Sequence, residues 1–284
     1  MKRLIINADD FGIHEGINRG IIYGHSHGAI TSTTIMAVGE AFDDAVKLAA
    51  AVPALGVGIH LTLVGERPVA SPDDVPSLVD QEGRLPRFYP QFLRQLLQRS
   101  VSLQDVRTEL TAQVERVLAA GINPTHLDSH QHMHVVPGII DIVLDLANLY
   151  KIPAIRIPDE PFLFFGGFQA TPGRFIGRGG LTALSRIARN KAVKRGIAVP
   201  RHFYGMLAGG FMIEKNLLAI IDTLPQGITE IMMHPGDDDD AMMRHYGWQF
   251  SWQKELAAVT GQALQNRLAE RGIELITFRE LIDD

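Results

Sequence analysis

Between Pro124 and Pro137 the chain reads Thr125-His126-Leu127-Asp128-Ser129-His130-Gln131-His132-Met133-His134, which places four of its eleven histidines and one carboxylate within nine residues. Imidazole and carboxylate together suit divalent zinc, iron or manganese, and a small mixed ligand set leaves a coordination position open for water, as hydrolysis requires. The competing reading is a solvated loop or hydrogen-bonded core histidines. His126, Asp128 and His130 share parity and would share a face if a strand continues, whereas His132 and His134 lie where Pro137 favours a turn. His130 and His134 would align equally well on a helix, so spacing alone does not decide which imidazole reaches an ion.

Other groups suited to the same chemistry lie far away in sequence. Asp9 and Asp10 are adjacent, and in an extended chain their side chains point to opposite faces, so one is free to bind metal while the other acts as a base. The competing role for Asp10 is as N-cap of a helix over Phe11–Tyr23, where Ile13, Ile17 and Ile21 repeat at helical spacing. His60 alternates with Ile59 and Leu61 and points inward, beside glycines that allow close approach. His234 closes an apolar run before Pro235-Gly236, a good position for a general acid. Arg156 closes another run, either to orient Asp9 or hold substrate, or as an ordinary ion-pair arginine. The acidic run Asp237–Asp240 reads as solvated and receives no ligand role. Aromatic groups at Phe88-Tyr89, Phe162–Phe168 and Trp248–Trp252 could stack on a sugar ring or pack in a core or oligomer interface.

The elements that must gather these groups alternate. Apolar runs at Leu4–Ala8, Ala29–Val38, Leu55–Leu63, Thr125–His130, Ala154–Ile157, His202–Leu207, Ile228–His234 and Ile273–Phe278 predict eight strands. Helical periodicity at Ala41–Ala51, Leu103–Ala120, Gly138–Leu149 and Ala257–Arg271 falls between them, which implies βαβ crossovers, a parallel sheet and a (β/α) barrel. Barrel active sites form where strands end. Asp9, Asp10, His60, Asp128, His130, Arg156 and His234 all fall at or near such ends, so they converge on one rim.

Composition narrows the partners. The 284 residues carry 27 Lys+Arg against 32 Asp+Glu, a net −5 that argues against a nucleic-acid binder and for a small-molecule partner. With no cysteine, any metal must sit on histidine and carboxylate. The N-terminal apolar run is too short for a signal sequence and no 18-residue uncharged apolar stretch occurs, so a soluble, cytoplasmic protein is expected. The glycines at Gly12, Gly16 and Gly20 make no phosphate loop. The basic segment Arg186, Arg189, Lys191, Lys194 and Arg195 is expected to be a solvated helix face, with membrane-surface contact the lesser reading.

The ordered set Asn7-Ala8-Asp9-Asp10-Phe11-Gly12, Thr31-Ser32-Thr33-Thr34, Gly58-Ile59-His60, Thr125-His126-Leu127-Asp128-Ser129-His130 and His234-Pro235-Gly236 resembles the YdjC-like carbohydrate deacetylases, which include chitooligosaccharide deacetylases and a hopanoid-associated branch. The resemblance spans nearly the whole chain. It implies one domain over residues 1–284, a distorted TIM-like (β/α) barrel of the glycoside hydrolase/deacetylase type, that removes N-acetyl groups from amino sugars with a divalent metal ion, magnesium or zinc. It further implies Asp10, His60 and His130 as ligands, Asp9 as base and His234 as acid, leaving the other clustered histidines as supporting or substrate-contacting groups. Gln131 stands where relatives often carry histidine, a departure that bears on substrate preference. The segment Phe162–Pro200 matches no motif.

The implied partner is an N-acetylated sugar, with membrane contact only if that sugar is lipid-linked; a monomer and a homodimer are both open. Two other expectations compete: a metal-dependent barrel of different chemistry, such as a phosphoesterase or sugar isomerase, and a catalytically silent sugar-binding barrel.

Overall fold

The computed structural model describes residues 1–162, 164 and 172–283, with the side chains of 172–178 and 282–283 outside the description. Its centre is β1, Lys2–Phe11, whose residues from Leu4 onward are all buried. A strand buried on both faces reads as a continuous apolar run rather than an alternating one, and this one must have helices on one face and barrel interior on the other. Parallel to it run β2 (Ser32–Ile35), β3 (Gly56–Leu61), β4 (Leu127–Ser129), β5 (His202–Tyr204), β6 (Gly227–Met233) and β7 (Ile273–Leu275). Among the described residues the sheet order is β4-β3-β2-β1-β6-β5, with β7 against the start of β1.

The helices that cover this curled sheet are α1 (Glu15–His27), α2 (Phe42–Ala51), α3 (Tyr89–Leu97), α4 (Leu103–Ala119), α5 (Ile139–Leu149), α6 (Pro172–Lys194), α7 (Glu214–Thr223), α8 (Asp239–Tyr246), α9 (Trp252–Thr260) and α10 (Gln262–Glu270). The result is an α/β architecture of the parallel barrel kind expected from the alternation, in the distorted TIM-like form that the resemblance implied.

Four boundaries differ from the expectation. Ala154–Ile157 forms no strand; instead Leu127 bridges Ile155 and Ala154 bridges Ala198, so single residues span the gap beyond β4. The run Ala29–Val38 contributes only four strand residues. Ala257–Arg271 is two helices, because Gly261 takes an extended conformation (φ −69°, ψ 140°) between α9 and α10. The helix expected over Phe11–Tyr23 starts at Glu15, where the His14 ring accepts from Gly16 N and caps it. Asp10 is therefore released from the capping role.

That release has a backbone cause. The register between β1 and β2 shifts between Ala8 and Phe11, and Asp10 sits at φ 67°, a left-handed conformation costly for a non-glycine residue. Such a bulge re-aims a side chain at a barrel rim. The loop after β6 is placed by a close approach: a Cβ on Gly20 of α1 would lie 2.5 Å from Gly236 Cα, so only glycine lets α1 pack against the turn that follows His234.

Late in α6 and just past its end, three basic residues meet acids of neighbouring segments. Arg189 pairs with Asp159, Lys191 with Asp141, and Arg195 with Asp141 and Asp145. Among the described residues, no helix is long and apolar enough to cross a membrane.

Candidate metal and catalytic site

At the C-terminal ends of β1, β3 and β4, Asp10, His60 and His130 meet. Asp10 Oδ1 lies 3.3 Å from His60 Nε2 and 3.1 Å from His130 Nδ1. All three are buried, His130 the most open at 8% exposure. Ions of the zinc class bind nitrogen and oxygen at roughly 2.0–2.1 Å, which sets neighbouring ligands roughly 3.0–3.4 Å apart. The observed separations fall in that window, and the mixed imidazole and carboxylate set suits a divalent cation.

The imidazole of His60 is held in place from its other side. Its Nδ1 lies 2.8 Å from Asp128 Oδ1 and 3.1 Å from Thr34 Oγ1, and Thr34 in turn donates to Asp128 Oδ2. A proton on Nδ1, given to Asp128, leaves the Nε2 lone pair facing Asp10, the usual arrangement behind a metal-binding histidine. Burial opposes charge on His60, but the Asp128 charge and hydrogen bonds with Asp10 and Asp128 outweigh it and raise its pKa to about 10. Burial likewise opposes ionisation of Asp10, yet the charge and hydrogen bond of His130 and the hydrogen bond of His60 hold it well below the usual carboxylate range. The pocket thus demands positive charge between these groups.

A second set, Asp9, His60 and Asp128, also converges. It fits a cation less well, because Arg156 already occupies both carboxylates. Arg156 Nη1 and Nη2 each donate to Asp9 at 2.6 Å, Nη1 reaches Asp128 Oδ2 at 2.7 Å, and Nε donates to Glu230 Oε1 at 2.6 Å. Arg156 is fully buried, so it is no surface arginine, and its bonds to three acids leave it committed to holding them rather than substrate. Asp9 also accepts from Asn7 Nδ2 at 2.9 Å.

His234 follows Met233, which pairs with Ala8, so it stands level with Asp9 on the neighbouring strand. Its backbone N–H donates to the buried Glu255 Oε2 at 2.5 Å. Its Nδ1 is buried without a hydrogen-bond partner among the described residues. A ring nitrogen left unpaired in a cleft is available to a ligand.

The model of the YdjC-like protein family matches residues 3–270. The chain belongs to the YdjC-like family. A protein from Brevibacillus brevis named carbohydrate deacetylase is 36% identical over 279 residues, 98% of this chain and 99% of its own. One from Proteus mirabilis named chitooligosaccharide deacetylase is 32% identical over 280 residues, with 98% of both chains covered. The crystal structure of a protein from Enterococcus faecalis, whose name proposes cellobiose-phosphate cleavage, superposes with a TM-score of 0.77 at 27% identity, covering 99% of this chain and 98% of that one.

In this YdjC-like chain the remaining histidines of the cluster have structural surroundings. His126 sits one inward layer below Asp128, stacked on Phe278 at 3.5 Å between ring centroids. It occupies the space over Gly58, where an added Cβ would lie 2.5 Å from its ring. His134 ties β4 to the next segment, through Ser129 Oγ at 2.7 Å and the Arg156 carbonyl at 3.0 Å. His132 is buried against Phe203 and His134. Burial depresses the pKa of all three, His126 to about 3 and His134 to about 4.

The acids after His234 are equally local: Asp237 pairs with Arg19, Asp238 caps α8 and Asp239 accepts from Gln253 N. Of the aromatic stretches, Trp248 stacks on His130 at 5.4 Å and Phe250 meets His234 at 5.2 Å, while Phe88 and Tyr89 are exposed. Phe165 and Phe168 lie outside the described residues.

Sequence reasoning gave Thr34, Glu230 and Glu255 no role. An acid within the apolar run Ile228–Met233 was the available signal for Glu230, since a buried carboxylate requires a buried cation. Glu255 offered none, because its partner is a backbone N–H.

Proposed function

We propose that this chain is a metal-dependent carbohydrate N-deacetylase, with the whole chain acting as one catalytic unit. The observation that carries the reading is the meeting of Asp10, His60 and His130 beside an Asp9 locked by Arg156. The names of the Brevibacillus brevis and Proteus mirabilis relatives support an acetylated sugar as substrate, of the chitooligosaccharide type or an amino sugar on a lipid.

Asp10, His60 and His130 would hold a divalent ion, magnesium or zinc. When bound, such an ion acidifies a water and polarises a carbonyl. Asp9, oriented by the two hydrogen bonds from Arg156, takes a proton from the attacking water. The water oxygen adds to the acetyl carbonyl carbon and the C–N bond breaks. His234 delivers a proton to the departing nitrogen, so one water and one amide become acetate and a free amino sugar. Glu255 fixes the His234 backbone while Phe250 and Trp248 exclude water from the intervening cleft.

The test is acetate release from N-acetylated oligosaccharides by metal-loaded protein, lost with chelator and in Asp9→Asn. Full activity of Asp9→Asn would remove Asp9 as base. Phosphate release, or isomerisation without acetate, would point to another metal-dependent chemistry, and sugar binding without turnover at any metal load to a silent barrel.

A further inference from the structure

Helix α3 begins without a cap of its own. Phe88 at its N-cap has no side-chain acceptor, and Pro90 in its first turn has no N–H to satisfy. Gln91 N and Phe92 N donate back to Phe88 O, which leaves Tyr89 N as the donor that needs an acceptor from elsewhere. Gln131, just past β4, supplies it: Tyr89 N donates to Gln131 Oε1 at 3.1 Å.

The other end of the same amide meets the candidate metal site. Gln131 Nε2 lies 3.4 Å from His130 Nε2, the second nitrogen of the ring whose Nδ1 is 3.1 Å from Asp10 Oδ1. Gln131 and His132 are both left-handed, at φ 53° and 57°. Such strain persists where the surroundings over-determine it, and here the Gln131 side chain is held at both ends.

Donors and acceptors then conflict. A backbone N–H only donates, so the amide oxygen faces Tyr89 and the –NH2 faces His130 Nε2. An –NH2 only donates as well, so Nε2 accepts and the ring hydrogen sits on Nδ1. His130 would hold an ion through Nδ1, which requires the lone pair there and the hydrogen on Nε2. Two donors would then face each other. Turning the amide over moves the clash to Tyr89, and turning the ring over puts a carbon where Nδ1 faces Asp10. Gln131 can satisfy Tyr89 or a ligating His130, and not both.

We infer that Gln131 sets ligation through His130 against the capping of α3, so that an ion held at Asp10, His60 and His130 releases the N-terminus of α3 with its exposed Phe88 and Tyr89. The inference rests on the proposed ligand role of His130.

Zinc affinity of the full-length protein, by competition with a fluorescent chelator, gives one readout, and hydrogen exchange of the Tyr89 amide by NMR gives another. In wild type, zinc should speed Tyr89 exchange by about ten-fold or more, as the loss of one capping hydrogen bond requires. Gln131→Ala and Gln131→Met lack the amide, so Tyr89 exchange should be fast in both and indifferent to zinc. Neither variant gives up a cap on ligation, so both should bind zinc about three- to ten-fold more tightly than wild type. A residue that only supported His130 would give the opposite sign. Zinc binding no tighter than wild type in both variants, with folds intact by circular dichroism, or wild-type Tyr89 exchange that ignores zinc, would overturn the coupling. If zinc affinity survives His130→Ala, the ligand reading fails and the coupling with it. If His130→Ala abolishes binding while wild-type Tyr89 exchange ignores zinc, the coupling alone fails.

Discussion

His60 Nδ1 lies 2.8 Å from Asp128 Oδ1, and this contact turns the opposite face of the ring, Nε2, toward Asp10. Asp128 would therefore act through His60 on an ion held at the proposed site. Asp128→Asn keeps an acceptor of the same shape and removes the charge that would make His60 a better ligand. Metal affinity should fall about 10–100-fold, read by competition with a fluorescent chelator. Affinity equal to wild type would show that Asp128 serves only Arg156.

Arg156 pairs with Asp9, Asp128 and Glu230 in a buried cluster. Removing one partner of such a cluster strands the rest. Arg156→Ala should cost about 3–5 kcal/mol of stability by denaturant midpoint. Arg156→Lys keeps the charge but not the forked donor geometry that orients Asp9, so kcat should drop about a hundred-fold with a smaller change in KM.

Burial raises the Glu230 pKa from its ordinary 4.5 to about 7, against the opposing charge and hydrogen bond of Arg156. Between these values the folded state binds more protons at this site than the unfolded chain. Its contribution to stability therefore falls as pH rises through that interval. Glu230→Gln, which retains an acceptor for Arg156, should gain stability relative to wild type between about pH 5 and about pH 7. Parallel stability profiles for the two proteins would remove Glu230 as the titrating group.

The His126 ring lies between Phe278 on one face and the bare Cα of Gly58 on the other. A methyl group at Gly58 has nowhere to go. Gly58→Ala should lower stability by about 1–3 kcal/mol, seen as a reduced Tm. Gly58→Ala combined with His126→Ser should recover part of that loss, since the smaller side chain vacates the contested space.

Much of the candidate site was legible from strand ends. Asp9 and Asp10 after Leu4–Ala8, His60 late in its run and His234 before Pro235-Gly236 all lie where a parallel barrel gathers function, and the periodicity that predicted the barrel is a local property of the chain. Strand length was less legible. Ala154–Ile157 has the apolar composition of a strand yet makes only single-residue bridges, because its neighbours at Leu127 and Ala198 present too little extended backbone to pair with.

The sequence by itself determined the chemistry available, histidine and carboxylate without thiolate, and the alternating βα order that brings strand ends to one rim. Tertiary structure decided which groups meet as candidate metal ligands and which surround a cation of the protein's own, Arg156. Asp9 and Asp10 are neighbours in sequence, but the positive φ at Asp10 turns it toward His60 and His130, while Asp9 meets Arg156, distant in the chain. Within the histidine cluster, the chain leaves the strand after Ser129, so His130 reaches Asp10 while His126, His132 and His134 pack inside. Charge partners of this kind are set by distances between strands, which spacing along one strand does not encode.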